Sequence, residues 1–338
     1  MPQTRALLAE QGTTLADFFV TTPVCCPSRS SILSGRMAHN TGATTNGCGR
    51  GHFWEGPGLS STVATFLQTA NYTTGLFGKE LNAANYTAIS PGWDRYFALG
   101  QECQYYGNSW ADQGRKTTSD AAAYMTHVIG NATVQWLRAV RARGRAPFFA
   151  YVAPHAPHQP AEAAPEHAAA FAGRKAPRTP AWNASCPEHH WVVGMQPPLT
   201  APQAALSDDM FERRWRALLS VDELVGALVA EVDAMGELDN TFFLYVRSLA
   251  RDVRLVLSRS SSYLRLTPQR ASLSLLILYL FCHAQQPGTP PTTGTTWASG
   301  ASPRTSASRT RPTCACRSSC AARASRATRR CAATPSWA

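Results

Sequence analysis

The residues best suited to chemistry gather at three places in the chain. Residues 25–29 read Cys25-Cys26-Pro27-Ser28-Arg29, followed by Gly35-Arg36. Lys79 follows a glycine in GLFGKELN, and His155 and His158 share APHAPHQP. A cysteine pair is a candidate disulfide half, metal-ligand pair or reactive thiol. Arginine and lysine hold anions, and a histidine can move a proton or donate to an oxyanion. Each residue also has a blander account. The cysteines can be a buried pair ahead of a capped helix, a lysine at a strand end is usually only solvated, and His158 can simply line a loop.

These side chains need elements to aim them. SRSSILSG predicts a short helix with Pro27 near its first position and Gly35 at its end. Its N-terminal N–H groups and dipole would favour an anion beside Cys25. YTTGLFG (72–78) and PFFAYVAP (147–154) predict strands, and Lys79 and His155 fall just past them. In open α/β sheets that end of the strands is where ligands bind. TRALLAEQG predicts a helix stopped by Gly12, and TLADFFV (14–20) a strand or buried connection. Helices are expected over 61–70, 132–143 and 211–236, and a strand over 240–246. Alternating strands and helices predict an α/β domain around a mainly parallel sheet.

The stretch from Cys25 to Gly35 resembles the sulfatase signature C-x-P-S-R-x-x-x-x-x-G. FFVTTPVCCPSRSSILSGRMAHN, GLFGKELN, PGWDRYFAL, APHAPHQP, RRWRALLSVDELV and GELDNTFFLYV are similar to the N-acetylglucosamine-6-sulfatase branch, with its extracellular endosulfatases and algal or plant arylsulfatases. The resemblance implies an alkaline-phosphatase-like α/β fold and hydrolysis of sulfate monoesters, of a 6-sulfated N-acetylglucosamine or of an aryl sulfate. It implies that Cys25 becomes formylglycine, made by the formylglycine-generating enzyme, and that Cys26 is a variable position rather than part of a disulfide or metal pair. Arg29 would hold the modified residue and the sulfate. Lys79 would bind the sulfate and the leaving oxygen, and His155 would protonate the leaving group or hold the sulfate, with His158 near the substrate. The implied cofactor is calcium, with the formylglycine at Cys25 among its ligands. A phosphatase or phosphodiesterase of the same superfamily is disfavoured, because those place Thr or Ser where this chain has Cys25.

Calcium needs several oxygen ligands, carboxylates among them. The family's Asp-Asp pair at the end of the first strand has no match here, since the chain begins beyond it. Its Ser-Asp-Asn-Gly run after the strand at 240–246 is replaced by VRSLARD, and Asp252 stands in no matching context. The expectation is a catalytic domain over 1–245 that lacks its first strand, with little activity of its own. A non-catalytic binder of sulfated glycans is the alternative.

The overall charge of +11 suggests nucleic acid until the chain is divided. Residues 246–338 hold 14 arginines, no lysine and one aspartate, and residues 1–245 carry a net charge of −2. From Pro287 onward only eight residue types occur, all encodable with G or C at the middle codon position. Shifted back by one base, TPPTTGTTWAS permits Y-T-S-D-N-G-Y-H-L-G-Q, which is similar to the family's continuation. Residues 246–286 are therefore expected to be a translated intron, and 287–338 a frame-shifted, disordered basic tail rather than a nucleic-acid-binding arm. The sequons at Asn71, Asn85, Asn131 and Asn183 point to the secretory pathway. No signal peptide is evident at Met1, and LSLLILYLFC is too short to span a membrane.

Overall fold

The structure, a computed structural model, describes residues 1–47, 59–82, 84–100, 103–144, 146–180, 182–184, 190–191, 195, 197–248, 253–258 and 274–281. The chain divides into two units, Met1–Thr289 and Pro290–Ala338. The tail expected from 287 onward, the cysteines beyond 281, Cys48, Cys186 and Asp252 lie outside the described residues.

Nine strands form one sheet: β1 (Gly12–Phe18), β2 (Thr73–Gly78), β3 (Arg95–Leu99), β4 (Ser109–Asp112), β5 (Arg115–Thr118), β6 (Phe148–Ala153), β7 (Thr241–Ser248), β8 (Val253–Ser258) and β9 (Ser274–Phe281). Their order across the sheet is β1-β8-β7-β9-β6-β2-β3-β4-β5. The middle run from β7 through β9, β6 and β2 to β3 is parallel, and both margins are antiparallel. The parallel expectation thus describes the centre of a mixed sheet. The sheet takes strands from both sides of residue 245, because β8 and β9 pair with β7.

The central strands are apolar throughout because both of their faces are covered. All six residues of β6 are buried. Phe148, Ala150 and Val152 join one cluster with helices α3 (Met125–Ala142) and α4 (Ala201–Ala234). Phe149, Tyr151 and Ala153 join the cluster on the other face, with α1 (Cys25–Ser34) and α2 (Val63–Thr69). α3 buries Ile129, Thr133, Trp136, Leu137 and Val140, a stripe at helical spacing.

Several boundaries differ from the sequence reading. α1 begins at Cys25, ahead of Pro27, and closes on Gly35 in the left-handed region (φ 68°). α4 starts at Ala201 rather than 211. A capping box of Thr200 and Gln203 opens it, while its buried residues begin only at Ala217, so its first turns carry no apolar stripe to betray them. The β4–β5 hairpin, unforeseen, turns on Gln113 and Gly114, both at positive φ (48° and 77°). The N-terminal helix is a turn over Pro2–Thr4 continued as a π-helical stretch, Arg5–Ala9. Asp222 of α4 anchors it, accepting from the N–H groups of Gln3 and Thr4 (3.0 and 2.7 Å) and from the Thr4 hydroxyl (2.8 Å).

Candidate active site

Cys25 occupies the first position of α1, and Val24 before it supplies no side-chain cap. The helix therefore keeps N–H groups at its start for other acceptors. One is taken by Asn46, whose Oδ1 accepts from Cys26 N–H at 3.2 Å. Asn46 in turn receives Asn82 Nδ2 on its carbonyl at 3.2 Å, tying the start of α1 to the segment after β2. Cys25 is buried and in no disulfide. Cys26 corrects the expectation: it is disulfide-bonded. The adjacent cysteines thus part ways, one stapled and one left as a thiol in the cavity.

Arg29 lies one turn further along α1 and is 1% exposed. Its Nη1 donates to the backbone carbonyl of Lys79. Lys79 also donates its own N–H to the Ala153 carbonyl at 2.8 Å, across the ends of β2 and β6. Gly78 makes this approach feasible. Its φ is 102°, and a Cβ there would meet the Ala153 carbonyl oxygen at 2.3 Å.

The residue after Lys79 is fixed as well. Glu80 is 2% exposed, and its carboxyl accepts from Ser90 Oγ (2.7 Å), Trp93 Nε1 (3.0 Å) and Tyr96 Oη (2.8 Å). The PGWDRYFAL stretch is thus the wall that seats Glu80. Burial pushes the Glu80 carboxyl up, opposed by those donors.

His155 sits past the end of β6, 4% exposed. Its ring stacks on that of His158 with centroids 4.2 Å apart, and Tyr105 flanks it at 6.0 Å. Tyr105 Oη donates to the His158 carbonyl at 2.6 Å, holding this loop. Burial first, then the charge of Lys79, with His158 and Arg29 adding to it, holds His155 well below the usual imidazole range. Burial, then Arg29, lowers Lys79 too. Burial raises the Cys103 thiol.

Cys25, Lys79, His155 and His158 line one cavity of about 500 Å³, and Arg29, outside its lining, bonds to the backbone carbonyl of Lys79. Four of the five expected site residues therefore share a single wall, and the fifth holds that wall in place. The cavity also shows Cys103, Asn46, Asn82 and Tyr105, which the sequence reading missed. They come from loops with no strand or helix signal, and Cys103 has a positive φ (40°) that no local motif announces.

A buried thiol at a helix start, with Lys79 beside it in the lining, makes a setting that favours an anionic group. The cavity does not suit a calcium ion. Among the described residues its lining has one carboxylate, Glu162, beside cationic groups, whereas calcium takes six to eight oxygens, carboxylates among them. The sequon residues Asn71, Asn85, Asn131 and Asn183 are all exposed, Asn131 within helix α3 rather than in a loop. Among the described residues no helix is long and apolar enough to cross a membrane.

Comparison with known proteins agrees with this geometry. A family model described as Sulfatase matches residues 1–248. The chain is 32% identical over 252 residues to an extracellular sulfatase SULF-1 homolog of Drosophila melanogaster, covering 72% of this chain and 22% of that protein. It is 32% identical over 259 residues to human N-acetylglucosamine-6-sulfatase, covering 72% of this chain and 47% of that one. The chain thus spans less than half the length of these relatives. A structure solved in complex with its substrate D-glucosamine-2-N,6-O-disulfate superposes with a TM-score of 0.57 at 18% identity, over 76% of this chain and 66% of the other. At that identity the likeness speaks for the fold, an alkaline-phosphatase-like α/β sheet flanked by helices.

Proposed function

This chain belongs to the sulfatase family, and from that premise we propose that its cavity is a sulfate-monoester site in which Cys25 acts as formylglycine. The observation that carries the reading is the meeting of Cys25, at a helix start, with Lys79 and His155 around one cavity, Arg29 being bonded to the backbone of Lys79.

The chemistry follows from those groups. Water adds to the residue 25 aldehyde to give a geminal diol. One diol hydroxyl gives up its proton to water as its oxygen attacks sulfur, and the bond from sulfur to the ester oxygen breaks. The departing alkoxide takes a proton from Lys79 or His155. The second diol hydroxyl then loses its proton, the bond between carbon and the sulfated oxygen breaks, and sulfate leaves as the aldehyde reforms. Arg29 and Lys79 face the charge on the sulfuryl oxygens. Burial holds His155 neutral at neutral pH, and the ring gains a proton more readily once a sulfate-ester anion sits beside it.

The substrate class proposed is a 6-sulfated N-acetylglucosamine or an aryl sulfate, in a protein of the secretory pathway matured by a formylglycine-generating enzyme. Calcium is the expected metal of the family, and the described residues do not supply its carboxylates. This chain alone should therefore bind sulfate esters and hydrolyse them slowly, which places it near a non-catalytic glycan binder. We extend the same reading to residues 246–286 as translated intron and 287–338 as frame-shifted sequence, which sequencing of the spliced message tests.

The test is a comparison with a full-length relative. Purified protein should bind inorganic sulfate and 4-nitrocatechol sulfate, lose that binding on Lys79→Ala, and turn the ester over far more slowly than the relative. Equal turnover, or binding indifferent to Lys79→Ala, would contradict the proposal.

A further inference from the structure

Away from the cavity, side chains from three packed elements converge on one point. His127 lies in the first turn of α3, Glu166 in the 3-10 turn Pro165–His167, and Glu223 on α4. His127 Nε2 is 3.1 Å from Glu166 Oε1. One ligand atom from each of His127, Glu166 and Glu223 lies within 4.8 Å of the other two. His167, beside Glu166, brings Nε2 within 3.0 Å of Glu223 Oε1. That nitrogen is buried and faces the Glu223 carboxylate. The Tyr124 ring meets the His127 ring edge-on at 5.2 Å and restricts its orientation.

We propose that His127, Glu166 and Glu223 form a divalent transition-metal site of the zinc class, with water as the fourth ligand. Zinc binds imidazole nitrogen and carboxylate oxygen at about 2.0–2.2 Å in a tetrahedron, which puts neighbouring ligand atoms about 3.5 Å apart. The His127–Glu166 pair already lies within that spacing, and the Glu223 ligand atom lies within 4.8 Å of both. Imidazole ligands favour zinc over calcium and magnesium, which take oxygen. Two carboxylates would balance the ion's charge. His127, Glu166 and Glu223 side chains are 41%, 46% and 48% exposed, so the ion has a path in and water can complete its shell. Bound there, the ion would clamp the 3-10 turn to α3 and α4. The segment leading into that turn carries His158 and Glu162 into the cavity, so the clamp would stiffen the cavity's outer wall.

The experiment uses the full chain, freed of metal by chelation and titrated with zinc chloride, with magnesium and calcium chlorides as controls. One equivalent of zinc should bind and raise the unfolding midpoint, and the controls should not. X-ray absorption at the zinc edge should show nitrogen and oxygen neighbours. His127→Ala and Glu223→Gln should each lose the zinc-induced shift while keeping sulfate binding at Lys79, which separates this site from the sulfate-ester reading. Zinc binding unchanged in the double variant, sulfur neighbours, or no zinc binding at all would overturn the proposal.

Discussion

Arg29, on the first turns of α1, donates to the backbone carbonyl of Lys79, at the far end of β2. The guanidinium thus sets the height of the lysine as well as its own charge. Arg29→Ala should remove a cation close to Lys79 and leave a buried carbonyl short of a donor, at a cost of about 1–3 kcal/mol. Sulfate affinity should fall more than stability explains. Arg29→Lys, which keeps the charge but lacks the planar fork, should recover little of it. Titration of both variants with sulfate, alongside urea unfolding, checks this; full recovery by lysine would show that only charge matters.

Glu80 acts as a positioning residue through Lys79. Glu80→Ala leaves the Trp93, Ser90 and Tyr96 donors buried without their acceptor and should cost about 2–4 kcal/mol. Glu80→Gln keeps an acceptor and the shape, and should cost far less. Because burial raises the Glu80 carboxyl, the folded state holds its proton to higher pH than the unfolded chain. Its contribution is therefore full below the ordinary value of 4.5 and declines as pH rises above it. Unfolding curves at pH 4 and 7 should differ less in Glu80→Gln than in the parent.

His155 has the opposite dependence. Its folded value lies well below 6.5, so both states are neutral above that pH. As pH falls through 6.5 the unfolded chain takes up the proton first, and stability declines by up to about 1.4 kcal/mol per pH unit. His155→Gln should flatten this part of the profile between pH 7.5 and 5. Sulfate, which favours the protonated ring, should protect the parent more at pH 5.5 than at 7.5. Parallel profiles for the two proteins would contradict the assignment.

Gly78→Ala forces a side chain onto a φ of 102° and a Cβ against the Ala153 carbonyl. Strain of this kind costs about 1–3 kcal/mol. The clash should also part Lys79 N–H from Ala153, so sulfate affinity should fall with stability. Thermal unfolding and sulfate titration measure the two effects together.

The sequence made one half of the site legible and hid the other. Cys25, Arg29, Lys79 and His155 sit at element ends, where helix starts and strand ends leave local signals, and a specific motif names them. Glu80 gives no such signal, because its meaning depends on Trp93 and Tyr96 folding over it. Cys103 reaches the cavity from a loop whose path is set by tertiary contacts. The Cys26 disulfide was also hidden, because cysteine spacing does not reveal pairing. In the fold, the apolar strands and α3 announced themselves by periodicity. The polar first turns of α4 and the exposed β5 did not.

The central claim is that residue 25 is an aldehyde in the mature protein. It is tested most directly by peptide mass spectrometry on chain co-produced with a formylglycine-generating enzyme. The residue 25 peptide should carry formylglycine, react with a hydrazide probe, and lose that reactivity on Cys25→Ala. A peptide found wholly as cysteine, or an aldehyde at Cys26 instead, would contradict it.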